Sequence, residues 1–148
     1  MENIGIKLGI QKLLDLSDDE FEDVIDKAND TFVKKGTTLF REGKQNDNVY
    51  IISSGKAEIY KEGQFINLVT KGDLLGEMSL VGADKSTATV IAKTDMQVYK
   101  FKKHRFEMLL NKYPKMNQAI VLLTISRKLQ QHEITPNINS NNIDIVRA

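Results

Sequence analysis

The stretch richest in usable chemistry is Gly76-Glu77-Met78-Ser79-Leu80, followed after a short loop by Ser86-Thr87-Ala88-Thr89-Val90. A glycine lets the main chain approach a ligand with no Cβ in the way. Successive exposed N–H groups in a turn form a concave nest for an anion. The carboxylate of Glu77 accepts from hydroxyls, Ser79, Ser86 and Thr87 carry hydroxyls of their own, and Lys85 adds a cation. This set suits a backbone wrapped around a small anionic sugar phosphate. On residues alone, the same Gly-Glu turn also serves many sheets for steric reasons, with Glu77 capping a turn and Thr87 an ordinary strand residue.

Short strands must carry that stretch. Thr31–Val33, Thr38–Phe40, Val49–Ile52, Ala57–Tyr60, Phe65–Val69, Ala88–Ala92 and Met96–Phe101 are β-rich runs. Gly36, Gly43, Gly55, Gly63 and Gly72 fall between them, where turns need positive φ or tight reversal. Many short strands at this spacing predict an antiparallel sandwich or jelly roll, not a parallel sheet. Ala57 to Tyr60 and Val98 to Phe101 alternate as half-buried strands do.

Helices flank the strands. Ile10, Leu13 and Leu14 share a face. Ser17-Asp18-Asp19-Glu20 is a capping box, and it opens a helix lined by Phe21, Val24, Ile25 and Ala28. Phe106, Met108, Leu109 and Leu110 give an apolar face that Tyr113-Pro114 ends. Proline is tolerated at the first position of the next helix, where its missing N–H has no partner to lose. Met116, Ala119, Ile120 and Leu123 line that helix, and Leu122, Ile125 and Leu129 widen the stripe. Burial of this broad face against the chain's own roll is the simplest expectation. After Gln131 the polar, asparagine-rich composition predicts a mobile tail.

Composition sets limits. At 148 residues the chain has the size of one domain, and 41% hydrophobic with 28% charged content is globular. A net charge of +1 gives no electrostatic case for nucleic acid or an anionic membrane. With Cys at 0, disulfides, thiol catalysis and thiolate metal sites are excluded. His104 and His132 lie far apart in sequence and lend no support to a zinc or histidine-based site. No Walker loop, nucleophile elbow or paired acid–base set is present, so the expectation is not an enzyme. No apolar leader or bilayer-length run appears, which predicts a cytoplasmic chain.

The stretch from Gly76 to Val90 resembles the phosphate-binding cassette of cyclic nucleotide-binding domains, G-E-x-[AS]-L, a loop, then R-[ST]-A-[TSK]-V. Val33 to Gly43 resembles the family's first hairpin, and Val49 to Tyr60 its Y-x-I-x-x-G-x-x-x-[VI] signature. The likeness runs from about Leu13 to about Leu129, of the catabolite-activator and protein kinase A regulatory-subunit type, without a DNA-binding domain. Ser86 stands at the family's arginine position, with Lys85 just before it. Were this loop regular strand, Lys85 and Ser86 would point to opposite faces.

The resemblance implies a mainly β fold: an antiparallel β-roll with flanking helices. Its parts would be N-terminal helices over 1–29, a roll over 30–102 with the cassette at 76–90, B and C (lid) helices over 103–132, and a tail over 133–148. It implies cyclic AMP, ahead of cyclic GMP, as ligand, with no metal and no further cofactor. The ligand would be held by Gly76, Glu77, Met78, Ser79, Lys85, Ser86, Thr87 and Ala88. Glu77 would accept from the ribose 2′-hydroxyl, Thr87 would reach the phosphate or a guanine amino group, and Leu68, Val69 and the lid would sandwich the base. A monomer or weak homodimer would signal to a separate effector protein by moving the C helix. The alternative is a degenerate domain that persists as an interaction scaffold without ligand.

Overall fold

The computed structural model describes Lys12 and residues 14–133. The expected face at Ile10 and Leu13, and the polar stretch after 133, lie outside the described residues.

Helix α1 (Asp18–Asp26) starts at the capping box. Ser17 Oγ accepts from the Glu20 amide at 3.2 Å, and the Ser17 N–H donates to Glu20 Oε1 at 2.9 Å. Phe21 and Val24 turn inward. Asp23 instead accepts from Lys27 Nζ at 2.9 Å, Lys112 Nζ at 2.7 Å and the Tyr113 hydroxyl at 2.5 Å. Those donors, Lys112 first and then Tyr113 and Lys27, hold the Asp23 carboxyl well below the usual carboxylate range.

Among the described residues eight strands follow: β1 (Asn29–Val33), β2 (Thr38–Phe40), β3 (Asn48–Ser54), β4 (Ala57–Lys61), β5 (Gln64–Val69), β6 (Leu74–Leu75), β7 (Thr89–Ala92) and β8 (Met96–Lys102). They form two four-stranded sheets, ordered β1-β8-β3-β6 and β2-β7-β4-β5, with antiparallel pairing throughout. This is the predicted antiparallel roll. The β7 strand begins at Thr89, one residue later than the sequence pattern suggests.

The sheet containing β3 and β8 is buried on both faces. Tyr50, Ile52, Met96 and Val98 point into the roll, beside Phe40, Ile59, Val69 and Val90. Val49, Ile51, Tyr99 and Phe101 point the other way, to Phe21, Val24, Phe106, Leu109, Met116 and Ile120 of the helices. A strand covered on both sides reads as a continuous apolar run, which is why Val49-Tyr50-Ile51-Ile52 shows no alternation.

Helix α2 (Lys103–Lys112) buries Phe106, Leu109 and Leu110. Met108, expected on that face, is 66% exposed, because it lies about 100° from Leu109 around the helix. Helix α3 (Pro114–Glu133) begins at the proline and buries Met116 and Ile120. The expectation that its broad apolar face packs on the roll is corrected here. Leu122, Ile125 and Leu129 are 67%, 51% and 58% exposed, on the side turned away from Met116 and Ile120. Among the described residues no helix is long and apolar enough to cross a membrane.

Candidate cyclic nucleotide site

The site starts where β6 runs out. Leu74 and Leu75 pair with Ile51 and Tyr50, which anchors the segment to the central sheet. The next residue, Gly76, has φ +91, a left-handed conformation that side chains resist. A Cβ there would lie 2.5 Å from the Asn48 carbonyl oxygen and 3.2 Å from the Phe40 ring. Only glycine fits. The reversal launches a 3₁₀ turn, Glu77–Val81, which ends at Gly82 with φ +107.

That turn folds Glu77, Met78 and Ser79 inward, so that Glu77 is only 3% exposed. Ser79 Oγ donates to the Gly76 carbonyl at 2.9 Å, which stiffens the turn and commits the hydroxyl proton. A buried carboxylate needs a partner. Glu77 finds one fifty positions downstream: Arg127 Nη1 on α3 donates to Glu77 Oε1 at 2.8 Å. Sequence reasoning missed this arginine.

The second half of the cassette is tied down through its backbone. The Gly43 amide donates to the Ser86 carbonyl at 2.9 Å, and the Ser86 amide donates to the Lys44 carbonyl at 2.8 Å. An isolated bridge pairs Gln45 with Lys85. Lys61 Nζ donates to the Thr87 carbonyl at 2.9 Å, and Gln131 Nε2 on α3 reaches Thr87 Oγ1 at 3.3 Å. Residues 86–88 are not regular strand, so alternation does not apply to them. Lys85 and Ser86 therefore both line the cleft, contrary to the opposite-face expectation.

The cleft between the turn, this loop and α3 is narrow, with a cavity of about 50 Å³ that widens to about 460 Å³ when the open space at its mouth is counted. Gly76, Glu77, Met78 and Ser79 form one wall; Lys85, Ser86, Thr87 and Ala88 form the other. Phe40, Ile59, Leu75 and Val90 supply apolar surface, Asn46 a polar edge, and Arg127 with Gln131 the cover. Val69 is not in the cleft: it pairs with Ala57 and is buried in the roll's interior. Leu68 is not among the lining residues either. Of the residues on β4 and β5, Ile59 is the one that lines the cleft.

Arg127 and Gln131 sit four apart, on one helix face with Ile120 and Thr124. The inward stripe of α3 thus turns from apolar to polar at Thr124. A polar continuation of an apolar stripe was the available sequence signal. It was masked by the exposed leucines and isoleucine on the other side.

An antiparallel roll whose glycine-launched turn buries a glutamate in a small cleft under a helix defines a class. The model of the cyclic nucleotide-binding domain matches residues 31–113, and the chain belongs to that family. It is 34% identical over 100 residues to a cAMP-dependent protein kinase regulatory subunit of Yarrowia lipolytica, covering 66% of this chain and 27% of that protein. It is 35% identical over 77 residues to the Pyricularia oryzae protein of the same description, covering 51% of this chain and 20% of that one. The matches thus span about a quarter of the length of these relatives or less. In fold the chain is similar to PKAR CBD2 bound to Sp-2Cl-cAMPS, with TM-score 0.79, 24% identity and 90% coverage of both chains. It is also similar to the Thermus thermophilus catabolite activator protein, with TM-score 0.72, 22% identity, and 84% and 61% coverage.

Proposed function

We propose that this chain is a regulatory module that binds a cyclic nucleotide, cyclic AMP in preference to cyclic GMP, and signals through α3 to a separate effector protein. The observation that carries the reading is the buried Glu77 beside the left-handed Gly76, in a cleft closed by a helix. A scaffold has no use for a buried carboxylate that lines a cleft. Glu77 accepts from the ribose 2′-hydroxyl, which favours a ribonucleotide. Gly76 and Met78 present backbone to the cyclic phosphate from one wall, which Ser79 stiffens by bonding its amide and hydroxyl to the Gly76 carbonyl; Lys85, Ser86, Thr87 and Ala88 face it from the other. The regulatory-subunit relatives named for cAMP support the choice of ligand. The module binds and relays; it does not catalyse.

One feature favours the second reading, a ligand-free interaction scaffold. Ser86 brings no charge to the family's arginine position, and its backbone amide is already bonded to Lys44. A thermal titration separates the two. At ~100 times its dissociation constant a ligand stabilises the folded state by about 2.7 kcal/mol. For a chain of this size that raises the melting temperature by about 5–10 °C. Cyclic AMP is expected to produce this shift at lower concentration than cyclic GMP. No shift with either nucleotide up to millimolar concentration would leave the scaffold reading standing.

A further inference from the structure

We infer that Arg127 of the covering helix, and no residue of the roll, supplies the buried positive charge for the ligand's phosphate. The inference rests on the cyclic nucleotide reading above. The cleft is lined by two cations, Lys85 and Arg127. Lys85 is exposed, where water screens it, whereas the Arg127 side chain is only 11% exposed. A charge acts more strongly from the drier position. Ser86 offers a hydroxyl but no charge, and both of its backbone groups are taken by Gly43 and Lys44. Ser79 has committed its hydroxyl proton to Gly76.

Arg127 has donors to spare. A guanidinium carries five N–H groups in a planar fork, and the contact to Glu77 runs from Nη1 to a single carboxylate oxygen, Oε1. The remaining edge can pair with phosphate oxygens in the bidentate manner that suits arginine. Without a ligand the pair is neutral, Arg127 against Glu77. An incoming monoanion shares the guanidinium while its ribose hydroxyl takes over the Glu77 oxygen. Gln131, one turn further along the same face and on Thr87 at 3.3 Å, holds the helix over the second wall meanwhile. Binding the anion and seating the helix then become one event, because the charge that recognises the phosphate belongs to the helix.

The test measures cyclic AMP affinity in the full chain by calorimetry or competition, with Ser86→Arg as a rescue. Arg127→Gln is expected to weaken binding tenfold or more, and Arg127→Lys, which keeps the charge, several-fold less. Adding Ser86→Arg to Arg127→Gln should restore most of the loss. In the otherwise unchanged chain Ser86→Arg should gain less than threefold, because the phosphate already has its arginine. Arg127→Gln binding as well as the parent would overturn the proposal. So would a loss that Ser86→Arg does not rescue, since Arg127 would then act only by positioning Glu77. Should Arg127→Gln fail to fold, a tenfold gain from Ser86→Arg alone would show that the phosphate lacked a buried cation. If the parent chain binds neither nucleotide, the thermal titration reveals it first, and the failure belongs to the cyclic nucleotide reading.

Discussion

The two sides of the cleft are held by different physics. The cassette is fixed by backbone: a left-handed Gly76 that no other residue can replace, and amide–carbonyl bonds from Gly43 and to Lys44 that pin Ser86. Helix α3 is fixed by side chains, and its two halves differ again. Met116 and Ile120, 0% and 1% exposed, lock its first half into the core shared with Phe106 and Phe101. Beyond Ile120 the buried residue is Thr124, whose hydroxyl turns back to the Ile120 carbonyl at 2.8 Å. From there on, among the described residues, the side-chain hydrogen bonds to the roll are Arg127 to Glu77 and Gln131 to Thr87. Apolar burial is lost only by unfolding, whereas a polar contact can be exchanged for a ligand's. The helix is thus an apolar anchor followed by a polar half, whose two side-chain bonds to the roll land on Glu77 and Thr87.

The largest effect should come from breaking the anchor. Met116→Ala removes a fully buried side chain and should cost about 2–5 kcal/mol of folding stability. Leu122→Ala, on the exposed side of the same helix at 67% exposure, should stay within ~0.5 kcal/mol. Chemical denaturation checks both. Equal losses would mean that the exposed side of α3 is not the solvent side and would erase the distinction drawn between the two faces.

A smaller effect sharpens the other side of the comparison. Glu77→Ala should weaken cyclic AMP binding about 10- to 150-fold, the equivalent of losing a charged-acceptor hydrogen bond of ~1.5–3 kcal/mol. The 2′-deoxy analogue should lose affinity in the parent chain and little further in the variant, since the shared contact is already gone. Calorimetry on the four combinations decides it. Equal losses from deoxygenation in both proteins would remove Glu77 from the ribose.

The same division explains what the sequence made legible. Seven strands and their turns were readable because short β-rich runs between glycines are local signals, whereas β6 (Leu74–Leu75), two residues long, carries no such signal. The Ser17–Glu20 capping box was readable because both bonds span three residues. The cassette was readable because glycine, acid and hydroxyls fall together in one segment. The cover was not. Arg127 meets Glu77 across fifty positions and Gln131 meets Thr87 across forty-four, and no local pattern carries such a pairing. Helix α3 misled in the opposite direction, because Leu122, Ile125 and Leu129 outweigh the polar Thr124, Arg127 and Gln131 in hydropathy yet face solvent. Val69 is a related case: its side chain turns into the roll, and Ile59 of the neighbouring strand lines the cleft instead.

The smallest effect concerns how the anchor is fastened to α1. Asp23 accepts from Lys27, Lys112 and Tyr113 at the corner where α2 meets α3, and these donors favour its charged form. A carboxyl whose acidity is raised by folding stabilises the fold while it is ionised in both states. That contribution is complete above the ordinary value of 3.8 and is lost as pH falls toward the lower folded value, when the unfolded chain takes up the proton first. Stability should therefore decline below about pH 4, in part through this group. Asp23→Asn keeps the shape of the side chain and removes its titration. It should lower stability slightly at neutral pH, where a surface cluster of this kind is only modestly favourable, and flatten the decline under acid. Denaturation midpoints for parent and variant at neutral pH and near pH 3 supply the comparison. An unchanged acid slope would mean that Lys112 and Tyr113 do not hold Asp23 in solution, and that α2 and α3 are fastened to α1 by the apolar contacts of Phe21 and Val24 alone.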